Sequence, residues 1–566
     1  LLAAESDALV GQAVNLARLC QQIEQLYQQP MDIEWALQDG CFSILQARPI
    51  TAMPEAPLDW TPPHPKGVYM RGSAVDLMPD PLSPLFATLG IPALRKQMVP
   101  LATRLTHSKA VFHEDYFTTI NQYAYMNSTM PPITWWWVLT GMLPAYPKLL
   151  RRLAQIWREE LHPEYQAFAA SLKDKKPAEM SQAELWDTAQ QTLDAAMYYV
   201  CSLMFATMGA NAGSEMLLTS LYNKLVKQES DPPANVMLMG WNNIPIRAEK
   251  SLYDLAMWAQ EHQSLSTYLL ATPSDQLAAA LEASETPTGV QDAHWQELRQ
   301  RLEQYIQQFG YVIFQLDFVE PLPADHPHLL LETIKMYLSG KGADPYARQQ
   351  ASEHKRLQTA ETMLGRLKGL KLWAFRKSLN WAQSLSEVRE DALAEIGLAY
   401  PALRAALIEL GKRFVSAGAI EQPEDIFWLE KNEVDAIVAD QPHNLASRVS
   451  ERKAFWNRLK RETPPPMIPM KERVMGIKVD VFVAQSADAH SQNMLKGIPA
   501  SAGVVTAPAC VISGPEDFGL MRPGAVLVAG TTTPAWTPLF AMASAIITDI
   551  GGPLSHGSLV ARAYGI

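Results

Sequence analysis

The stretch Ala545-Ile546-Ile547-Thr548-Asp549-Ile550-Gly551-Gly552-Pro553-Leu554-Ser555-His556-Gly557-Ser558-Leu559-Val560-Ala561-Arg562-Ala563-Tyr564-Gly565-Ile566 decides how the rest of the chain is read. Its apolar start, closed by glycines and a proline, reads as a short buried strand. Gly551-Gly552 is a turn, and the spacing beyond it predicts a helix beginning near Leu554 with His556 in its first turn. A helix N-terminus offers unpaired N–H groups and the positive end of the helix dipole. That environment suits a histidine that carries an anion such as a phosphoryl group. Neutral imidazole is a competent nucleophile near neutral pH. Gly551, Gly552 and Gly557 leave room for a bulky group to approach the backbone. A histidine that only caps the helix fits the same spacing.

Immediately upstream, Gly503 to Ile512 and Ala525 to Val528 read as further short strands between Gly and Pro turns, which outlines a C-terminal α/β domain over 494–566. Pro464, Pro465, Pro466 and Pro469 mark a linker, taken as 463–493. From 68 to 462 nearly everything has helical period, including Leu149 to Glu160, Glu184 to Ala212, His294 to Phe309, Leu329 to Leu338, Ala351 to Leu385 and Leu403 to Ala417. Pro54, Pro57, Pro62, Pro63 and Pro65 form another stiff linker, 53–67. Ahead of it, 1–52 reads as a helix from Asp7 to Gln29 and a hairpin around Asp39-Gly40. The fold class is thus multidomain and mainly α. With no initiator Met, and a motif running to Ile566, the sequence reads as a piece of something longer.

Composition narrows the function. Of 566 residues, 48% are hydrophobic and 19% charged, which is ordinary for globular chains. Lys plus Arg is 48 against 59 Asp plus Glu, a net charge of −11, which disfavours nucleic acid as partner. The four cysteines are far apart and without a C-x-x-C, as in a reducing cytoplasm, where the protein is expected. Two uncharged stretches, Met130 to Tyr146 and Ala195 to Ser214, invite a membrane reading; the first is cut by prolines and the second is rich in polar residues, so both are expected in the soluble core and no membrane partner is expected.

Gly-Gly-x-x-Ser-His-x-x-x-x-Ala-Arg-x-x-Gly-Ile, with the lead-in Gly497-Ile498-Pro499-Ala500-Ser501-x-Gly503 and Arg522-Pro523-Gly524, resembles the phosphohistidine signature of the swivelling domain in phosphoenolpyruvate-utilising enzymes. Met31-Asp32-Ile33-Glu34-Trp35-Ala36 followed by Ile44-Leu45-Gln46-Ala47-Arg48-Pro49-Ile50 resembles the end of the ATP-grasp nucleotide domain of pyruvate phosphate dikinase and phosphoenolpyruvate synthase. The order of these motifs around a large helical domain, with Thr533-Pro534-Ala535-Trp536-Thr537-Pro538-Leu539, Leu77-Met78-Pro79-Asp80-Pro81-Leu82-Ser83-Pro84-Leu85, Arg389-Glu390 and Asp425-Ile426-Phe427-Trp428-Leu429, is similar to the rifampicin phosphotransferase-like branch.

The resemblance implies an ATP-dependent phosphotransferase of dikinase type. His556 would take the β-phosphoryl of ATP and a swivelling, here incomplete, phosphohistidine domain would carry it to an acceptor in the helical domain. Glu34 would bind Mg²⁺ at the nucleotide phosphates, and Gln46 and Arg48 would reach those phosphates. The ATP-grasp part present would be only its C-terminal end. If Glu34, Gln46 and Arg48 share a face, a plain two-residue turn cannot join the strands, since it sets Glu34 opposite Leu45; the loop must be odd in length or the hairpin must carry a bulge.

Candidate acceptor-site residues are Arg389, Trp136, Met204 and Met208, the last three from a chain rich in Met and Trp that suits an adaptable apolar pocket. The acceptor is expected to be a small apolar hydroxyl compound rather than pyruvate, for which Arg389 with Arg404 is the only basic pair at hand. Two departures bear on the substrate: Gly310-Tyr311-Val312 stands where a Gly-His-Arg segment is expected, and Leu393 where a lysine is expected in the rifamycin enzymes. The other readings are a phosphoenolpyruvate synthase proper acting on pyruvate, a phosphocarrier with a protein partner, and a non-catalytic relative.

Overall fold

The computed structural model describes the chain apart from residues 1–15, 25, 28–30, 39–40, 50–57, 72–76, 130, 143–151, 153–154, 205–208, 284, 324, 326–327, 442, 471–472, 475–476, 479–496, 498, 502, 550–555 and 565. It divides into two units, Leu1–Asp59 and Trp60–Ile566.

The first unit contains helical residues 16–24 and an antiparallel hairpin of β1 (Met31–Gln38) and β2 (Cys41–Pro49). Gln38 pairs with Cys41 across the turn, yet Glu34 pairs with Gln46 and Asp32 with Arg48, because the register shifts by one between Glu34 and Trp35. Leu45 is the extra residue of that bulge and is exposed. The shift keeps Ile33, Trp35 and Leu37 on the face of Phe42, Ile44 and Ala47, with the Trp35 and Phe42 rings edge-to-face at 5.3 Å. The opposite face carries Asp32, Glu34, Gln46 and Arg48. The bulge that the polar pattern demanded is therefore present.

The second unit is built on long helices. Here α1 (Ile91–Thr106), α2 (Gln182–Leu203), α3 (Gly209–Leu225), α4 (Ile244–Gln260), α5 (Asp292–Phe309), α6 (His328–Leu338), α7 (Pro345–Gly365), α8 (Gly369–Ala394) and α9 (Tyr400–Ser416) carry most of the core. The single helix read over Ala351 to Leu385 is two, broken where Gly369 adopts φ +56°. A capping box, Ser181 with Glu184, starts α2. The uncharged second half of α2 is buried from Tyr199 to Leu203 among α1 and α9. Among the described residues no helix is long and apolar enough to cross a membrane.

A four-stranded antiparallel sheet closes this helical part, in the order β4 (Phe117–Ile120), β5 (Tyr123–Asn127), β3 (Tyr69–Met70), β6 (Met467–Ile468). The second proline cluster is thus not wholly linker. Met467 and Ile468 pair with Met70 and Tyr69, and the Tyr125 hydroxyl donates to the Pro465 carbonyl at 2.7 Å. Likewise the end of the first proline stretch is docked: Trp60 packs on Tyr123, and His64 meets Asp115 at 2.6 Å.

The motif around Ser83 is structural. The Ser83 N–H and hydroxyl donate to the two oxygens of fully buried Asp317, at 2.5 and 2.8 Å, and Val319 N–H donates at 3.0 Å. Trp456 Nε1 donates to the Pro81 carbonyl and Leu316 N–H to that of Leu77, so the segment is pinned from two sides.

At the C-terminus, β7 (Ala509–Ile512), β8 (Val526–Ala529) and β9 (Ala545–Thr548) form a parallel sheet in the order β9-β8-β7, followed by α10 (Thr537–Met542) between β8 and β9 and α11 (His556–Tyr564) after β9. This α/β part shares one hydrophobic cluster with the helical part: Ile512, Phe518, Leu527, Trp536, Val560 and Tyr564 pack with residues of α4, α5 and α6.

Burial pushes the Asp317 carboxyl up to about 6 despite the Ser83 and Val319 donors that oppose it. A raised carboxyl contributes stability that is complete below its ordinary value and is lost as pH rises through the folded value. The melting-temperature advantage of the native chain over Asp317→Asn is expected to shrink between pH 4 and pH 7, by up to ~3 kcal/mol in stability. Calorimetry of both proteins across that range tests it; a constant or widening gap contradicts it.

Candidate functional site

His556 is the first described residue of α11; residues 550–555, including the Gly551-Gly552 turn, lie outside the described residues. Gly557 is closely approached there. A Cβ on it would lie 2.4 Å from the hydroxyl oxygen of buried Thr532, so the helix start is pressed against the loop after β8. Further along α11, Arg562 donates to the Ala500 carbonyl at 3.3 Å and holds the lead-in segment to the helix.

Val560 and Tyr564, one and two turns after His556, line an open cleft of about 800 Å³, solvent at its mouth included. Its other wall belongs to the helical part: Glu215 of α3, Arg348 of α7, and Arg389 and Glu390 of α8. Leu238, Met239, Trp241, Pro245 and Ile246 supply an apolar lining. The charges balance, two arginines against two carboxylates.

Burial pushes the Glu215 carboxyl up, against the pull of Arg389 and Arg562, and Glu390 adds to the rise. Its Oε2 makes no hydrogen bond among the described residues. Arg562 is shifted down by burial and by Arg389, while Glu215 opposes that. Charges of both signs from the two parts of the unit thus act on one another here.

The sequence Arg389-Glu390-Asp391 sorts itself by helix geometry. Arg389 and Glu390, 3.9 Å apart, line the cleft, while Asp391 accepts the Ile244 N–H at 2.5 Å and so caps α4 together with Asn243, which accepts from Ile246. Leu393 is buried in the main core, where a lysine would have no solvent and where packing would be lost.

The other candidates fall elsewhere. Trp136 is 68% exposed on the short helix Pro132–Trp137 and does not line the cleft. Met204 packs against the main core at the end of α2, and Met208 lies outside the described residues. Arg404 does not pair with Arg389: it donates to Asp325 at 2.9 Å and to the carbonyls of Phe318 and Glu320, tying a loop to α9. Sequence reasoning did not single out Glu215, although it is the first charge after the uncharged run Ala195 to Ser214. Nor did it single out Arg348, whose i,i+4 surroundings look like ordinary helix surface.

In the first unit, Glu34 and Gln46 are directly opposed and exposed, beside Asp32 and Arg48, which form an ion pair at 2.8 Å. One face thus carries carboxylate oxygens for a hard cation next to donors for phosphate. Among the described residues no group of three His, Cys, Asp or Glu could hold a metal by itself.

Comparison with known proteins converges on both halves of this description. Residues 521–566 match the mobile domain of PEP-utilising enzymes, 199–390 the fourth domain of rifampicin phosphotransferase, and 5–61 the AMP/ATP-binding domain of pyruvate phosphate dikinase. The first two ranges contain the two walls of the cleft, and the third contains the hairpin. Over 98% of its length the chain is 24% identical to YvkC of Bacillus subtilis, described as an uncharacterized phosphotransferase, and, again over 98%, 24% identical to the rifampicin phosphotransferases of Bacillus subtilis and Streptomyces sviceus. The chain spans 66%, 65% and 64% of the lengths of these three relatives. These matches support a PEP-utilising, rifampicin phosphotransferase-like family for the chain.

Proposed function

We propose that this chain is the greater part of an ATP-dependent phosphotransferase of dikinase type whose acceptor is a small molecule bound in the cleft between α8 and α11. The observation that carries the reading is the composite cleft: one wall is the helix headed by His556 and the other holds Arg389, Glu390 and Glu215. His556 attacks the β-phosphoryl of ATP, forming a P–N bond as the bridge to the α-phosphate breaks and AMP leaves; water then takes the γ-phosphoryl as inorganic phosphate, and the β-phosphoryl stays on the histidine. The face of Glu34, Gln46 and Arg48 binds the nucleotide phosphates. When Mg²⁺ is bound, it neutralises phosphate charge there.

In the cleft, the P–N bond breaks and a bond to the acceptor oxygen forms. Arg389 lies where it steadies the charge on the moving phosphoryl group. Glu215, buried and with a free oxygen, takes the acceptor's hydroxyl proton. Its raised proton affinity favours that transfer. The balanced charge of the lining favours a neutral hydroxyl acceptor over pyruvate, since each arginine already faces a carboxylate. The relatives' name points to rifampicin, but Leu393 and Gly310-Tyr311-Val312 depart from the pattern expected of rifamycin enzymes.

Three outcomes are expected with full-length protein. ATP labelled on its β-phosphate should leave an acid-labile, base-stable label, and His556→Ala should abolish it; turnover retained by that variant would sink the carrier role. Glu215→Gln and Arg389→Ala should still accept the label but pass it on more slowly, by about 10²-fold or more, to hydroxyl compounds found by mass spectrometry. Normal turnover of pyruvate would instead identify a synthase. Glu34→Gln and Arg48→Ala should each reduce labelling of His556 by at least about tenfold; unchanged labelling in both would remove the hairpin from the nucleotide site.

A further inference from the structure

We propose that Glu249, Arg348 and Tyr337 form a preassembled socket, and that Tyr564 is the plug by which the α/β part docks on the helical part in one orientation. The role given to docking rests on the reading of His556 as carrier; the socket itself does not.

Glu249 of α4 is 2% exposed. Its Oε1 accepts from the Tyr337 hydroxyl at 2.6 Å, and its Oε2 forms an ion pair with Arg348. These three side chains come from α4, α6 and α7 of the helical part. The fourth partner is the Tyr564 hydroxyl, which donates to Glu249 Oε2 at 2.5 Å, while the Arg348 guanidinium sits 3.7 Å from the Tyr564 ring centroid. Burial beside Glu249 pushes the Tyr564 hydroxyl well up, so it remains a donor.

When the α/β part leaves, Glu249 keeps Arg348 and Tyr337, so no buried charge is orphaned. Water can replace the one bond that Tyr564 made. This is the pattern of a reversible contact; a buried pair split between two parts would leave a costly unpaired charge on separation. The packing around it agrees. The socket lies between two clefts, of about 800 and 860 Å³, both lined by Pro245 and Thr537. Apolar contact between the two parts continues beside the socket through Phe518, Trp536 and Val560; it is non-directional, and the directional bond of Tyr564 sets the orientation. Tyr564 is on the same helix as His556, eight residues on, about 12 Å along the axis. Fixing its far end aims the helix start over the cleft wall of Arg389 and Glu215. Tyr564 is thus a positioning residue.

The test reads undocking directly. In a background with Cys20, Cys41 and Cys510 changed to Ser, Val560→Cys places a thiol at the interface, 8% exposed at that position, and Cys201, fully buried in the helical core, reports unfolding of that core. Tyr564→Phe keeps the ring under Arg348 and removes only the hydroxyl. It should speed reaction of the interface thiol with a small thiol reagent by about tenfold or more, the value of one bond to a charged group, with Cys201 unchanged. Glu249→Gln should act in the same direction. An interface rate within about twofold of the parent overturns the proposal, as does equal acceleration at Cys201, which would make Tyr564 a general core residue. Labelling of His556 by β-labelled ATP in the same variants separates the two readings. A thiol response without labelling leaves the socket and removes the carrier role; labelling without a thiol response does the reverse.

Discussion

The hydrogen bond from the Ile244 N–H to Asp391 holds together the two helices on which the cleft depends. It caps α4 from the flank of α8, and α8 is the element that touches every large core. Phe375, Leu379 and Ala382 lie in the cluster of α3 and α7, Val388, Ala392 and Leu393 in the main core, and Ala394 in the cluster shared with the α/β part. A helix committed on so many sides has little freedom to turn. Its one charged triplet, Arg389-Glu390-Asp391, is therefore distributed by geometry: two side chains to the cleft and one to the neighbouring helix. The same rotation that caps α4 also places Arg389, so the helix cap and the lining of the cleft are set by one constraint.

Several local elements are legible in the sequence, since they rest on period and punctuation. The apolar run of Ala545 to Thr548 and the glycines after it mark a strand and helix start because no other local structure tolerates them. The hairpin was legible to the point of its irregularity: alternation fixed which residues must share a face, and an even turn could not deliver it. Where the reading went astray, tertiary contacts outweighed local signals. Proline-rich 463–469 looks like a linker, yet Met467 and Ile468 find an unpaired strand edge more than 390 positions back in sequence, at Tyr69 and Met70. Trp136 and Met204 were chosen by residue type, and type does not say which helix face is covered.

The cleft itself was the least legible part. Glu215, Arg348 and Arg389 come from three helices, and their meeting depends on crossing angles that one sequence does not print. Arg404 illustrates the difficulty from the other side. It is as buried as Arg389, but its guanidinium is spent on the carbonyls of Phe318 and Glu320 and on Asp325. Composition treats the two arginines alike; only the partners distinguish a loop tie from a residue that lines the cleft. The Leu393 position is informative for the same reason, since it belongs to the core here and not to the cleft.

The sheet that joins residues 69–70 to 467–468 has a bearing on synthesis. β3 is flanked by β5, which follows it closely, and by β6, which is made almost 400 residues later. Tyr123 likewise donates to the carbonyls of Leu459 and Glu462. A ribosome emits the chain from one end, so the early strand waits with an open edge while all the long helices are produced. Helices form and pair locally in the meantime, but the domain cannot be sealed until residue 468 has emerged. Over that interval the backbone groups on that edge of β3 have no strand to pair with.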